Sequence, residues 1–385
     1  MRKKYVWSLA LSALVLVACG QKQEAAAPVA APVAATPAPA PAEEKVLNIY
    51  NWPDYIPEGM TAEFEKETGI KVNYDTFETN EALHAKLVAG NTGYDIVVPG
   101  SVFAKPQIAG GMFQPLDKAK IKNLANLDPA IMATLARNTD PDNKHLVPWA
   151  WGFTTVGINK TKVTKALGKL PMPENAWDLV FKPEYTSKLK SCGIAYLDSP
   201  TEIIPVALHY IGKDAYSNDP ADYKAATEML AKVRKDVRIF SSTMIDDIAG
   251  GKACVAIGWS GDINIAAGRA KENKSKDEIE ALLPSTGALI FFDTIAVTKD
   301  AKHPNNAMAF IDFYLRPENA VRMANEMTYN TGNLAARDKV NPEIGNNGTI
   351  FVASDYLAKM IAPSSFTNEA REAMATAYNA FKKGK

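Results

Sequence analysis

Aromatic rings and carboxylates recur side by side along this chain. Trp52 precedes Asp54 and Tyr55, Trp259 precedes Asp262, and Phe291 and Phe292 precede Asp293. A further carboxylate, Glu202, follows the small polar run Asp198-Ser199-Pro200-Thr201. An ionised carboxylate balances positive charge and only accepts hydrogen bonds, while an aromatic face attracts a cation by about 0.5–2 kcal/mol. That pairing suits an organic ammonium, and several such pairs suit a ligand carrying more than one ammonium on an alkyl chain. Each ring also has a structural reading, because Trp and Phe in strands commonly serve as core.

Other chemistries find little support. Gly258-Trp259-Ser260-Gly261 looks like a nucleophile elbow, but G-x-S-x-G needs glycine at 262, where Asp262 stands. No glycine-rich phosphate loop followed by Lys-Ser/Thr occurs. His84, His145, His209 and His303 are dispersed without metal-ligand spacing. The 43 Lys and Arg only balance the 43 Asp and Glu, so the basic excess of a general nucleic-acid binder is missing. The expectation is a protein with no catalytic role, no cofactor, no metal and no nucleic-acid partner.

The elements that must position these residues follow from the hydrophobic pattern. Val46 to Tyr50 alternates as a strand, Met60 to Thr68 reads as a helix stopped by Gly69, and Lys71 to Phe77 reads as a second strand. A helix over Asn80 to Ala89, with Ala82, Leu83, Leu87 and Val88 towards the core, leads to a third, buried strand at Tyr94 to Pro99. Strands alternating with helices imply an α/β fold with parallel strands. Ligands of such sheets collect beyond the carboxyl ends of strands. Trp52 to Tyr55 follows the first strand, Gly100-Ser101-Val102-Phe103 the third, and Trp259 to Asp262 the run Cys254 to Ile257. Asp293 interrupts a further apolar strand, Ala288 to Val297, where a carboxylate is costly unless it meets a cation, a hydrogen-bond network or a cleft.

The amino terminus reads as an address. Arg2, Lys3 and Lys4 precede an apolar stretch, Tyr5 to Val17, too short to span a membrane, and Leu16-Val17-Ala18-Cys19 resembles a lipobox. Residues 1–18 are expected to be a lipoprotein signal, with Cys19 lipidated; the alternative is an ordinary secretory signal with a stray cysteine. Removing them takes three basic groups and no acid, leaving a net charge of −3. Residues 19–45, rich in Ala and in Pro28, Pro32, Pro37, Pro39 and Pro41, read as a tether to the membrane. If Cys19 carries lipid, Cys192 and Cys254 remain, either as a disulfide, the default in an oxidising compartment, or as two buried thiols. A bridge there would close a loop of about 60 residues, contributing about 4 kcal/mol in chain-entropy models.

The segments Ile49 to Tyr55, Tyr94 to Pro99, Trp149-Ala150-Trp151-Gly152, Gly258 to Asp262 and Phe291-Phe292-Asp293 resemble the periplasmic polyamine-binding proteins of ABC transporters, the putrescine/spermidine receptors. The resemblance runs from about Val46 to the carboxyl terminus. It implies a type II periplasmic-binding-protein fold, with two lobes of mixed or parallel sheet joined by a hinge. Such a monomer captures a polyamine without catalysis and hands it to the transmembrane subunits of a permease. Lobe 1 would take residues 46–149 and 271–330, and lobe 2 residues 150–270 and 331–385.

Carried across by position, the family's aromatic box falls on Trp52, Tyr55, Trp259 and Tyr329, with Phe291 lining the same slot. Its cation-binding carboxylates fall on Glu202, Asp262 and Asp293. Asp262 would hold one terminal ammonium near Tyr55, and Asp293 and Glu202 would serve the other. Asp54 and Ser101 join this set as ligand-binding candidates from their places at strand ends. The family also pairs cysteines where Cys192 and Cys254 stand. Pro53 and Gly100 depart from it, each standing where serine is common. In the family phenylalanine at position 291 goes with putrescine and tryptophan with spermidine, so Phe291 favours putrescine. Spermidine, cadaverine and agmatine remain alternative ligands, and an amine-sensing or partner-binding surface lipoprotein is the alternative role.

Overall fold

The structure, a computed structural model, describes residues 43–384. The expected signal 1–18, the lipidated Cys19 and the spacer as far as residue 42 lie outside the described residues. Among the described residues nine strands form one mixed sheet: β1 Val46–Asn51, β2 Lys71–Thr76, β3 Ile96–Val97, β4 Leu146–Asn159, β5 Ile194–Tyr196, β6 Ile239–Phe240, β7 Val255–Trp259, β8 Ile279–Ala281 and β9 Leu289–Val297. Their order is β2-β1-β3-β9-β4-β7-β5-β6, with β8 also paired to β4. Two parallel sets, β2-β1-β3 and β7-β5-β6, flank a central antiparallel pair, β4 with β9.

That central pair links two large apolar cores. Leu47, Ile49, Trp149, Ala150, Ile295 and Phe310 belong to one, and Val156, Ile158, Ile257, Ile279, Leu289 and Tyr378 to the other. The chain therefore passes between cores within β4 and again within β9. Strand β8 pairs with Gly157–Asn159 of β4, which keeps that stretch with the second core. Asn333 likewise stays with the first core, bridging to Leu127 and donating from Nδ2 to the Leu315 carbonyl at 2.8 Å.

Local chemistry sets the elements. Helix α1, Met60–Thr68, ends where Gly69 takes φ 70° and its N–H bonds the Glu65 carbonyl at 2.8 Å, a left-handed cap that favours glycine. Helix α2, Asn80–Ala89, starts under Thr79, whose hydroxyl accepts the Ala82 N–H at 3.1 Å. Leu83 and Leu87, one turn apart, are its buried stripe; Ala82 and Val88 sit about 100° off it and are exposed, contrary to the sequence expectation. Strand β3 is shorter than the expected Tyr94–Pro99. There the Asp95 carboxylate, not a backbone carbonyl, accepts the Asn48 N–H at 2.9 Å. Among the described residues no helix is long and apolar enough to cross a membrane.

Cys192 and Cys254 form a disulfide with Cα atoms 5.4 Å apart, tying the turn before β5 to the start of β7 across a separation of 62 residues. A loop of that size implies about 4 kcal/mol of denatured-state constraint. Reductant should therefore lower the Tm of the parent protein by several degrees and leave a Cys192→Ala/Cys254→Ala double variant unmoved. Equal melting of the parent with and without reductant would contradict this.

Candidate functional site

Strand ends and helix starts from both cores converge on one cavity of about 120 Å³, several times the space one water needs. The end of β1 supplies Trp52, Asp54 and Tyr55, and β3 leads into Ser101, the first residue of helix α3, Ser101–Ala109. Strand β7 ends on Trp259, and the helix Ser260–Glu272 that follows carries Asp262 in its first turn. Glu202 lies in the first turn of the helix Pro200–Tyr210. Strand β9 contributes Phe291 and Asp293, and Tyr329 follows the helix Pro317–Met327. All ten ligand-binding candidates read from the sequence line this one space.

The walls are aromatic and closely set. Trp52 and Trp259 meet with ring centroids 5.8 Å apart, Tyr55 and Tyr329 at 4.9 Å, and Phe291 and Tyr329 at 6.2 Å. Trp52 is oriented by its indole N–H, which donates to the Val98 carbonyl at 2.9 Å. Tyr329 lies flat on backbone: a Cβ at Gly261 would come within 2.3 Å of its ring, so glycine is required for this approach. At Gly100 a Cβ would meet the Asn80 amide at 2.9 Å, and that amide already accepts the Gly100 N–H at 2.9 Å. Trp149, by contrast, is core, stacked on Tyr314 at 4.1 Å.

The electrostatics are one-sided. Among the described residues six carboxylates, Asp54, Glu78, Glu202, Asp246, Asp262 and Asp293, line the cavity, and no Lys, Arg or His does. The Tyr55 hydroxyl donates to Asp293 at 2.8 Å, the Tyr329 hydroxyl to Asp262 at 2.6 Å, and the Thr154 hydroxyl to Glu202 at 2.6 Å. The Tyr55 hydroxyl is therefore committed to Asp293. Loss of water pushes each of the three acids up to about 7, with Glu81 adding repulsion at Glu202, Asp54 at Asp262, and Glu202 and Asp262 at Asp293. Burial and the neighbouring carboxylates hold Tyr55 and Tyr329 well above the usual phenol range, so both remain donors. Asp54 is different: it is half-exposed and paired with Arg269 at 3.0 Å, and Arg269 also holds Asp246 at 3.0 Å. The Ser101 hydroxyl is buried and has no partner among the described residues.

Asn80, Thr154, Thr201, Tyr216, Glu78 and Asp246 also line the cavity, and none was a sequence candidate. Thr154 lies in β4, which is buried almost throughout and gives no alternation to single it out. Tyr216 and Asp246 stand in segments whose approach to the cleft is a tertiary fact.

Residues 59–351 match the family described as bacterial extracellular solute-binding protein. The chain belongs to that family. It is 45% identical over 321 residues, 83% of this chain and 86% of the other, to the putrescine-binding periplasmic protein PotF of Escherichia coli. It is 43% identical over 345 residues, 89% and 94% of the two chains, to the putrescine-binding periplasmic protein SpuD of Pseudomonas aeruginosa. Among solved structures, the spermidine/putrescine ABC transporter substrate-binding protein PotD of Streptococcus pneumoniae superposes with a TM-score of 0.70 at 27% identity, covering 89% of this chain and 99% of that one. The type II periplasmic-binding fold expected from the sequence is thus the fold of this chain, and membership of the family makes it an extracytoplasmic solute-binding protein.

Carboxyls held near 7 in the fold but near 4 when unfolded bind more protons in the folded state. The stability they contribute is present below about pH 4 and is lost as pH rises through about 7. Asp293→Asn should accordingly raise the Tm of the amine-free protein at pH 8 and raise it progressively less towards pH 5. A shift of the same size at both pH values would remove the link to ionisation.

Proposed function

We propose that this protein captures a polyamine, putrescine in preference to spermidine, between its two lobes and delivers it to an ABC permease from a lipid-anchored position at the cell envelope. The observation that carries this reading is a desolvated aromatic cavity with three acids at about 7 and no cationic residue in its lining. An alkyl diammonium supplies what that cavity lacks. One ammonium would pair with Asp262, oriented by Tyr329, and the other with Asp293 and Glu202, oriented by Tyr55 and Thr154, while the methylenes lie along Trp52, Trp259 and Phe291. Each hydroxyl is already committed as a donor to its carboxylate, which leaves the remaining carboxylate lone pairs for ammonium protons.

Two relatives named as putrescine-binding support the ligand class, and Phe291 supports the shorter amine. Because residues from both cores line the cavity, closing the lobes along β4 and β9 would exclude water and strengthen every charge contact. The protein acts as a monomer in this scheme, with lobe 1 built on 46–149 and the β9 return, and lobe 2 on the intervening segment and the carboxyl-terminal helix.

Isothermal titration of protein unfolded and refolded to remove carried-over amine should give one-to-one binding, tighter for putrescine than for spermidine. Asp262→Asn should weaken putrescine binding by more than tenfold, since an unpaired buried ammonium is costly, and Trp259→Ala should weaken it through the lost ring face. Tighter binding of spermidine would overturn the choice of amine. No heat with either amine, from folded protein, would overturn the receptor reading.

A further inference from the structure

Glu81 stands outside the cavity lining, yet it reaches the helix that presents one of the cavity's acids. It lies in the first turn of α2, whose apolar face packs with Phe77, Ala104 and Phe113. Its carboxylate accepts the Thr201 hydroxyl at 2.7 Å and the Ser199 hydroxyl at 3.2 Å. Those two hydroxyls flank Pro200, the first residue of the helix Pro200–Tyr210, whose Ile203, Ile204 and Leu208 belong to the second large core. Ser199 is buried and does not cap its own helix; its hydroxyl turns to Glu81 instead. A carboxylate from one side of the cleft thus docks on the head of a helix from the other, at the end where the helix dipole favours negative charge. Glu202 is the next residue after Thr201.

We infer that Glu81 is a positioning residue for amine binding: from across the cleft it clamps the helix turn that carries Glu202 and adds a negative charge beside that turn. This rests on the receptor reading given above. The charged groups that bear on Glu202 are Glu81 from α2 and Asp293 from β9, and the hydroxyls of Thr154 on β4 and of Tyr216 lie close to it. Trp259 on β7 also lies close to it. Arg371, from the helix Asn368–Lys382, faces Glu81, Glu369 and His84 and stacks over Phe103 at 5.3 Å, so it partly balances Glu81 without entering the cavity. Two effects follow, of separable sign. The clamp favours the closed, amine-holding arrangement. The charge repels ionised Glu202, so Glu202 gives up its proton at a higher pH than it would beside a neutral residue.

Two substitutions separate these effects. Glu81→Gln keeps an oxygen acceptor for Thr201 and Ser199 and removes the charge, whereas Glu81→Ala removes both. Stopped-flow dissociation of putrescine at pH 8 should be about tenfold faster from Glu81→Ala than from the parent, the size expected for losing a hydrogen bond to a charged group. The pH at which putrescine affinity is half-maximal should move to lower pH in Glu81→Gln. A purely structural role would lower the Tm of Glu81→Ala while leaving the dissociation rate and the pH midpoint at parental values, and that outcome overturns the inference. So does an unmoved midpoint in Glu81→Gln, or an unmoved dissociation rate in Glu81→Ala, when the parent binds. A folded parent that binds no putrescine overturns the receptor reading itself, and this inference with it.

Discussion

Negative charge confined with too little water, and with no cationic side chain among the described residues of the lining, is the constraint on which this structure turns. Glu202, Asp262 and Asp293 sit within reach of one another's fields, each pushed up to about 7, and the lining of their cavity holds no Lys, Arg or His. Such an arrangement is destabilising in itself, because a buried charge costs several kcal/mol unless it is paired. It persists because the surrounding framework is large and well packed and because phenol and threonine hydroxyls carry part of the load. A cationic ligand relieves the constraint, which is why the same feature that weakens the empty site gives it affinity and selectivity.

The fold delivers these groups with an economy of elements. Two parallel strand sets end on the same cleft, and the antiparallel pair β4 and β9 both joins the cores and contributes Thr154, Phe291 and Asp293 to the site. Passage between lobes and construction of the site are therefore carried by the same two strands. A motion that bends β4 and β9 moves Asp293 relative to Asp262 and Glu202. The mouth is tied independently, by Arg269 to Asp54 and Asp246 on one side and by Glu81 to Ser199 and Thr201 on the other.

Much of this was legible in residue order. Asp293 within an apolar strand, Asp262 after Trp259 and Asp54 after Trp52 were legible as cleft candidates, the first from the cost of a carboxylate in an apolar strand and the others from their places beyond strand ends. Gly69 marked a helix end through capping chemistry that needs no tertiary partner. Features set by long-range packing were not legible. Val88 reads as core by composition, but the stripe buried on α2 is only Leu83 and Leu87. The short β8 follows from its pairing with β4, which no local pattern encodes. The approach of Asn80 to Gly100 and the partnership of Tyr55 with Asp293 depend on residues 20 and 238 positions apart.

The central claim is that carboxyls partly protonated in the cleft become ionised when a polyammonium ligand pairs with them. The heat of putrescine binding at pH 7, measured in buffers of differing ionisation enthalpy, reports that exchange directly. Acids at about 7 are close to half protonated there, so the account predicts a net release of about one proton per ligand bound. Heats independent of the buffer, or net proton uptake, would contradict it.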